Sequence, residues 1–320
     1  MNIASVLPWA ILSFSLTYLV MPFGIKAMKR KGWTGTDVHK AQKVECAEPG
    51  GLIILLTLSL SFILMWLAGS IRGAATGAAL TIILSGLVGL LDDVVTLRQR
   101  TKVLLMMFTG VPLALSYSGV GKVSLPLVGD VEFGVLAYTI MMLLAVNVAS
   151  NLTNMLAGFN GLEAGFAAIA CGMLGAASAF HGEWGASTIS LVSLGSLLAF
   201  LKYNWYPAKV FPGDTGTLMF GSMIASVAIL GGEVFLAVSL MMPAVFDFTL
   251  KMLHGKPFAQ RNIFGDTKAD ERGILSPPGY AAFLHAFMKV APTSERRLVA
   301  LVLLSEMTLG AVALLLTLLF

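Results

Sequence analysis

The sequence has little charge and almost no cysteine. Asp, Glu, Lys and Arg make up 12% of the 320 residues, about half of the roughly 25% found in soluble domains, and this excludes a water-soluble globular enzyme. The two cysteines, Cys46 and Cys171, frame no disulfide scaffold and fit no zinc-ligand spacing. No GxxxxGKS/T phosphate loop occurs, which leaves ATP hydrolysis without support. The net charge of +4 is too small to indicate a nucleic-acid partner.

Long apolar runs take the place of charge. Ala, Val, Ile, Leu, Met, Phe, Trp, Tyr and Cys make up 57% of the chain, and a helix needs about 20 mostly apolar residues to span a membrane. The sequence predicts about ten spans, at residues 3–23, 50–69, 74–91, 103–118, 132–149, 163–180, 186–202, 216–231, 233–253 and 298–319. Basic residues follow the first span and none precedes it, which is typical of a retained span and not of a cleaved signal peptide.

Basic residues also orient the spans. With the amino terminus outside, the cytoplasmic loops hold all but Arg72 and Lys122 of the 21 Lys and Arg residues, as the positive-inside rule requires. We therefore predict an all-α polytopic membrane protein with about ten transmembrane helices and both termini outside. The whole chain, 1–320, is expected to form one membrane domain.

The polar segments between the spans differ in length on the two sides. Those assigned to the outside are short and turn-like, with a small hairpin predicted at 120–132. Those assigned to the cytoplasm include two long loops, 24–49 and 254–297, and the second carries an amphipathic stretch near 280–290 that is suited to lie on the membrane surface. The active site is therefore expected on the cytoplasmic face.

Two adjacent carboxylates end the third predicted span. Asp92 and Asp93 follow an apolar run directly, and Lys102 comes shortly after them. Because neighbouring helical residues do not face each other, one acid is expected to face a site and the other a neighbouring segment. Acids at a membrane boundary are costly, which favours a functional role. Solvated acids that cap a helix end are the alternative.

Amides and glycines interrupt the chain after the fifth predicted span. Residues 151–163 read Asn-Leu-Thr-Asn-Met-Leu-Ala-Gly-Phe-Asn-Gly-Leu-Glu. Asn151 and Asn154 are three residues apart and are expected to share one helix face. The glycines, among them Gly161, permit a close approach of the backbone to a ligand. A polar turn between spans is the alternative.

Two further clusters lie in predicted cytoplasmic loops. Asp214 comes just before the eighth span, where it is either a helix cap or a metal ligand, and Phe211 either stacks on a planar base or anchors the interface. Lys40 is either a phosphate ligand or an ordinary positive-inside charge. Carboxylate and amide oxygens suit Mg²⁺, which keeps substrate phosphates and water in its shell. Asn154 and Asp214 are therefore the candidate metal ligands.

These motifs resemble those of the polyprenyl-phosphate N-acetylhexosamine-1-phosphate transferases of glycosyltransferase family 4. Members are integral membrane enzymes that move a sugar-1-phosphate from a UDP-sugar to a lipid phosphate. Asp92 and Asp93 with Lys102 resemble the family's double-aspartate motif, 151–165 its asparagine-rich motif, and 211–215 its glycine-aspartate motif. The resemblance extends in order over most of the chain, including the layout of ten spans.

Two stretches, 156–165 and 204–211, are similar to the UDP-GlcNAc:dolichyl-phosphate branch of that family, in its archaeal form. Ala157 and Asn160 stand where the peptidoglycan branch usually carries aspartates. The resemblance therefore implies transfer of GlcNAc-1-phosphate from UDP-GlcNAc to a polyprenyl or dolichyl phosphate, with release of UMP, as the first membrane step of a glycan such as an N-glycan. It also implies the plasma membrane of an archaeon or bacterium in preference to the endoplasmic reticulum, and a possible homodimer.

The same resemblance implies a set of site residues. Asp92, Asp93, Lys102 and Asp214 are expected to be catalytic, Asn154 and Asp214 to bind Mg²⁺ or Mn²⁺, and the expected substrate-binding residues are Lys40, Asn151, Asn160, Gly161, Phe211 and Arg261. One departure is that the last cytoplasmic loop lacks the histidine-rich or arginine-histidine motif with which the family recognises the donor sugar. Another UDP-N-acetylhexosamine donor, for a cell-wall or surface polysaccharide, therefore stays open.

A polytopic transporter is the competing class, because ten spans fit it equally well. Transporters commonly carry charges deep in the membrane, and only Asp247 and Glu306 are placed deeply by this sequence. Asp247 is spaced to pair with Lys251 on one helix. The polar clusters on one face favour the transferase.

Overall fold

The computed structural model describes residues 2–40, 44–117, 121–126, 128–156, 158–253 and 267–319. This part of the chain forms mostly α-helices, which are α1 Ile3–Arg30, α2 Gly51–Leu67, α3 Ala74–Val95, α4 Gln99–Thr109, α5 Val111–Ser116, α6 Val135–Asn154, α7 Leu162–Phe180, α8 Trp184–Asn204, α9 Gly213–Gly231, α10 Val234–Leu253, α11 Phe283–Val290 and α12 Glu295–Leu319. Its strands are β1 Thr34–Asp37, β2 Val44–Ala47, β3 Lys122–Leu125, β4 Gly129–Glu132, β5 Lys268–Ala269, β6 Ile274–Ser276 and β7 Thr293–Ser294.

Eight of the described helices are long and apolar enough to cross a membrane: α1, α3, α6, α7, α8, α9, α10 and α12. Helix α2 is apolar but shorter. The prediction of a mostly helical polytopic membrane protein is therefore confirmed. The span predicted at 103–118 is not one continuous helix, because α4 ends at Thr109 and α5 begins after Gly110. Pro112 lies in the first turn of α5, a position that proline tolerates, whereas inside a continuous helix it would remove a hydrogen bond and clash with the preceding turn.

The segments between the helices carry small sheets. Strands β3 and β4 form an antiparallel hairpin, as predicted for 120–132. The stretch 24–49 is not a loop throughout, because α1 continues to Arg30 and β1 then pairs with β2. The segment before α9 hydrogen-bonds to the chain at and after β2. The Phe211 amide donates to Ala47 O at 2.8 Å, and the Gly50 amide donates to Phe211 O at 2.7 Å. This pairing fixes the approach of the chain to α9.

Helix α9 is the central helix of the bundle and is buried along most of its length. Glycines bring its neighbours close, as small residues do between membrane helices. A Cβ added at Gly51 of α2 would lie 2.2 Å from the Gly216 amide nitrogen, and one added at Gly89 of α3 would lie 2.3 Å from Asp214 O. Both contacts are at the start of α9, where the polar residues of the third motif lie.

Replacing Gly89 with Ala is expected to destabilise the fold. Alanine favours a helix over glycine by roughly 1 kcal/mol, but here its methyl group would meet backbone atoms that cannot rotate away, and overpacking of this kind costs about 1–3 kcal/mol. The measurement is the thermal unfolding midpoint in detergent. Gly172→Ala on α7 is the matched control, because the nearest atom to its added Cβ is 3.8 Å away. A midpoint for Gly89→Ala at or above that of Gly172→Ala would contradict the tight contact.

The two deep acids have different surroundings. Asp247 forms an ion pair with Lys251 on α10, which confirms the predicted pairing. Glu306 of α12 is fully buried, and neither of its carboxyl oxygens has a hydrogen-bond partner among the described residues. Helix α12, which carries Glu306, packs against α7 and α10.

Candidate active site

A cavity of about 790 Å³ lies where α3 and α6 end and α7 and α9 begin. The hairpin β1–β2 and the segment before α9 form the remaining walls. Its lining joins residues of all four predicted clusters, although these lie far apart in the sequence. It includes Asp37, His39, Asp92, Asp93, Asn154, Glu163, Phe211, Asp214 and Thr217.

Lys102 is the centre of a polar cluster at this cavity. Its ammonium nitrogen lies 2.8 Å from Asp92 Oδ2 and 2.7 Å from Asp214 Oδ2. The Asn154 amide completes the cluster when each of its ends meets a complementary partner. Its oxygen then accepts from Lys102 Nζ at 2.6 Å, and its nitrogen donates to Asp214 Oδ1 at 2.9 Å. Helices α3, α4, α6 and α9 each contribute one of these side chains.

The two ion pairs of Lys102 differ in exposure. The Asp92 side chain is 2% exposed, whereas that of Asp214 is 29% exposed. Asp92 is further fixed because its Oδ1 accepts from the Leu97 amide at 2.6 Å, just beyond the end of α3. The cluster therefore consists of a buried half, which holds the ammonium, and a half that opens to the cavity.

Asp93 has a different task from its neighbour Asp92. Its Oδ1 accepts from the Asp214 amide at 2.8 Å, and its Oδ2 accepts from the Thr215 amide at 2.9 Å and from the Thr215 hydroxyl. Asp93 therefore caps the first turn of α9 from another helix, in the way that N-cap side chains satisfy free helix amides. Pro212, the residue at the N-cap position itself, makes no side-chain cap.

This arrangement excludes one of the two roles considered for Asp214. The alternative in which Asp214 caps its own helix is wrong, because Asp93 supplies the cap and the Asp214 carboxylate points to Lys102. The expectation that Asp92 and Asp93 would serve different partners is confirmed. Pro212 at the N-cap position has no side-chain acceptor for the free amides of α9. It was the one sequence signal that another segment supplies the cap.

In the segment between α6 and α7, two backbone amides donate to glutamate side chains. The Gly158 amide donates to Glu163 Oε1 at 2.6 Å, and the Asn160 amide donates to Glu295 Oε1 at 2.8 Å. Gly161 has a φ of +81°, and a Cβ there would lie 2.6 Å from the Trp205 ring. Both the backbone angle and the close contact require glycine. Sequence reasoning missed Glu295, which lies 135 residues away from Asn160.

Asp37, at the end of β1, collects further partners at the cavity wall. Its carboxylate pairs with Lys40 and accepts from Asn160 Nδ2 at 3.0 Å. The Lys40 ammonium also lies 4.8 Å from the centre of the Tyr206 ring. Asp37 therefore joins the hairpin to the segment between α6 and α7.

His39 also lines the cavity, and sequence reasoning gave it no role. Its ring stacks on Phe159 with centroids 4.2 Å apart. Burial lowers the pKa of His39 to about 4, opposed by the nearby Asp37 charge, and the ring is therefore neutral at pH 7. Its Nε2 is buried without a hydrogen-bond partner among the described residues. Glu48 lies on the same wall. Its pKa is raised, mainly because the side chain is buried and also because of the nearby charge of Asp93.

The structure separates the predicted site residues into three groups. Asp92, Asp93, Asn154, Phe211 and Asp214 line the cavity. Lys102 bonds to three of them, Asp92, Asn154 and Asp214. A second group in the described part of the chain, Lys40, Asn160 and Gly161, is not part of the lining. Lys40 and Asn160 bond to Asp37, which is part of it. Arg261 lies outside the described residues.

Asn151 forms the third group, because it turns away from Asn154. Its amide donates to Asn147 Oδ1 at 2.7 Å and to Asn147 O at 2.9 Å, and Asn147 Nδ2 donates to Val103 O at 3.1 Å. These bonds tie α6 to α4. Asn151 is not among the residues that line the cavity beside Asn154, and its expected role in substrate binding stays a prediction.

The donors at the cavity wall are suited to a hard cation. The Asn154 amide oxygen and the Asp214 carboxylate meet at the Lys102 ammonium, and the Asn154 nitrogen lies 2.9 Å from Thr217 Oγ1. Among the described residues, no group of three or more His, Cys, Asp or Glu side chains is arranged to hold a metal ion. Carboxylate and amide oxygens suit Mg²⁺, which takes few protein ligands and fills its shell with water and phosphate oxygens.

Comparison with known proteins places the chain in a family. Residues 75–232 match glycosyl transferase family 4. A Sulfolobus acidocaldarius protein named "Putative UDP-N-acetylglucosamine--dolichyl-phosphate N-acetylglucosaminephosphotransferase" is 31% identical over 94% of this chain and 93% of its own length. A Saccharolobus solfataricus protein of the same name is 33% identical over 79% of each chain. A phospho-N-acetylmuramoyl-pentapeptide-transferase of Anoxybacillus flavithermus is 31% identical over 72% of this chain and 76% of its own. Since the similarity to the first relative extends over nearly its whole length, the chain belongs to glycosyl transferase family 4.

Proposed function

We propose that the protein transfers GlcNAc-1-phosphate from UDP-GlcNAc to a polyprenyl or dolichyl phosphate and releases UMP. The observation that carries this proposal is the Lys102 ammonium held between Asp92 and Asp214 at the cavity, beside Asn154. Asp92 holds the ammonium from the buried side, and the side towards Asp214 opens to the cavity. A cation in this position is suited to bind a diphosphate. The names of the two archaeal relatives support the donor and the acceptor.

The proposed topology has ten crossings, with α4 and α5 together as one and α2 as another. Both termini then lie outside, and the cavity lies on the cytoplasmic face of one membrane domain, 1–320, together with the loops 24–49 and 254–297. The basic residues in the last turns of α1 and α8 support this orientation. The archaeal relatives support an archaeal membrane. A homodimer stays a prediction.

In the proposed reaction, an oxygen of the lipid phosphate attacks the β-phosphorus of the donor, and the bond from that phosphorus to the UMP oxygen breaks. The main obstacle is the approach of two anions, and positioning and charge neutralisation should therefore dominate. Lys102 would give the diphosphate the N–H that Asp214 now accepts, while Asp92 holds the ammonium in place from the buried side. A phosphate monoester is largely dianionic at neutral pH, since its second pKa is about 6, and the attack therefore requires no strong base.

Asn154 and Asp214 are the proposed ligands of Mg²⁺, and Mn²⁺ would suit the same oxygens. When bound, the metal would offset the charge that develops on the leaving UMP. Thr217 Oγ1, 2.9 Å from the Asn154 amide at the same wall, orients that amide. Phe211, at the cavity wall, is the proposed stacking surface for uracil. Lys40, Asn160 and Gly161 are proposed to shape the wall behind it, and Arg261 to contact the sugar.

The test of this function is a transfer assay with the purified protein in detergent. Given Mg²⁺, dolichyl phosphate and labelled UDP-GlcNAc, it should release UMP and form a labelled lipid, and excess EDTA should stop both. Parallel reactions with UDP-GalNAc and UDP-MurNAc-pentapeptide test the donor. A lack of turnover with every UDP-sugar, together with substrate uptake into vesicles, would instead identify a transporter.

A further inference from the structure

A buried ion pair on α10 lies between two helix ends of opposite polarity. The side chains of Asp247 and Lys251 are 1% and 3% exposed. Lys251 Nζ donates to Met155 O at 2.8 Å, at the carboxyl end of α6. Asp247 Oδ1 accepts from the Phe283 amide at 3.1 Å, at the amino end of α11. Each charge therefore has the sign that its helix end favours.

The position of Met155 connects this pair to the site. Met155 is the C-cap residue of α6 and directly follows Asn154, which the proposed function places at the metal and the diphosphate. The backbone beyond it is held by Glu163 at Gly158 and by Glu295 at Asn160. The Lys251 ammonium bonds to the backbone of Met155, the residue next to Asn154.

We infer that Asp247 and Lys251 are positioning residues for the transfer reaction. Lys251 fixes the end of α6 and thereby the Asn154 amide against Lys102 and Asp214. Asp247 fixes Lys251 and joins the start of α11 to the same point, which links the segment 267–294 to the site. This inference rests on the proposed function and assigns a role to a pair that the cavity does not contain.

The most direct test exchanges the two charges in an Asp247→Lys, Lys251→Asp variant. The exchange keeps an ion pair, but it presents a carboxylate to Met155 O and an ammonium to the Phe283 amide, and both helix-end bonds are therefore lost. We expect kcat to fall on the order of tenfold to a hundredfold, as misplaced catalytic groups do, while KM for UDP-GlcNAc changes less. Amide hydrogen exchange at Gly158 and Phe283 should become faster.

Further variants guard against misfolding. Lys251→Met alone leaves a buried carboxylate without its cation, which destabilises proteins strongly, and the neutral pair Asp247→Asn, Lys251→Met is therefore used as well. It should fold and show the same loss of kcat, because it has no donor to Met155 O. Lys251→Arg keeps a charged donor and should recover much of the activity. Lys122→Met, Asp130→Asn is the matched control, since it removes an exposed pair between β3 and β4 and should leave kcat unchanged.

The outcomes are distinct. If the exchanged pair or the neutral pair keeps the wild-type kcat and the wild-type hydrogen exchange, Asp247 and Lys251 only stabilise the fold and the inference is overturned. If the wild-type protein transfers no sugar phosphate, the proposed function fails by itself. The exchange rates at Gly158 and Phe283 then still decide whether the pair positions these segments.

Discussion

Replacing Lys102 with Met is expected to reduce sugar-phosphate transfer by roughly a thousandfold or more. Loss of one preorganised donor to a developing charge typically costs about 10²–10³ in turnover, and Lys102 also neutralises two carboxylates at the cavity. Lys102→Arg should recover only a small part of the activity, because a planar guanidinium does not replace a compact ammonium among three close oxygens. UMP release under saturating substrate measures the effect.

A double variant separates the role of Lys102 in the reaction from its role in the fold. The single Lys102→Met variant removes the cation that compensates Asp92, and breaking a buried pair costs about 3–5 kcal/mol. Adding Asp92→Asn removes that buried charge and should restore much of the thermal stability in detergent without restoring transfer. Recovery of turnover in the double variant would show that Lys102 acts only on the fold.

Replacing Asp93 with Ala is expected to reduce turnover by about a hundredfold, although Asp93 need not touch the substrate. The substitution removes the acceptors of the Asp214 and Thr215 amides, which fix the first turn of α9 and with it the Asp214 carboxylate. Loss of positioning of this kind costs on the order of 10² in rate, and loss of an N-cap costs about 1–2 kcal/mol of stability. Transfer rate and thermal midpoint are measured together.

Asp93→Asn distinguishes a helix cap from a general base. The amide keeps one acceptor oxygen, and the variant should therefore lie between wild type and Asp93→Ala in both stability and rate. Its pH–rate profile should keep the acidic limb of the wild type, and so should that of Asp92→Asn. Disappearance of that limb in either variant would identify the residue as a base. Thr215→Val, which removes only the hydroxyl contact with Asp93, is the control and should have a small effect.

Local sequence patterns predicted most of the helices and the identity of the polar clusters. Apolar runs of membrane-spanning length and the motif order around Asp92, Asn154 and Asp214 follow from residue type and spacing along one chain segment. The same patterns did not predict where a local break divides an apolar run into two helices. The run 103–118 is apolar enough for one helix, but Gly110 and Pro112 divide it into α4 and α5.

The division of labour within the clusters did not follow from the sequence. Asn151 and Asn154 have the spacing of one helix face, yet Asn151 bonds to Asn147 while Asn154 meets Lys102 and Asp214. Two side chains on the same side of a helix can point towards different neighbouring helices. The packing of those helices decides which partner each side chain meets. In this protein those neighbours come from α4 and α9, and their approach depends on side-chain sizes elsewhere in the bundle.

The sequence by itself determined that this is a polytopic membrane protein, that its few charges gather into a small number of motifs, and that those motifs are typical of a sugar-phosphate transferase. Only the tertiary structure decided that Asp93 caps α9, that Lys102 joins Asp92 to Asp214, and that Lys251 holds the end of α6. The physical reason is that each of these bonds, apart from the pairing of Lys102 with Asp92, joins residues about a hundred positions apart. Periodicity shows which face of a helix is buried, whereas the packing of α9 between glycine-containing neighbours fixes which buried groups meet.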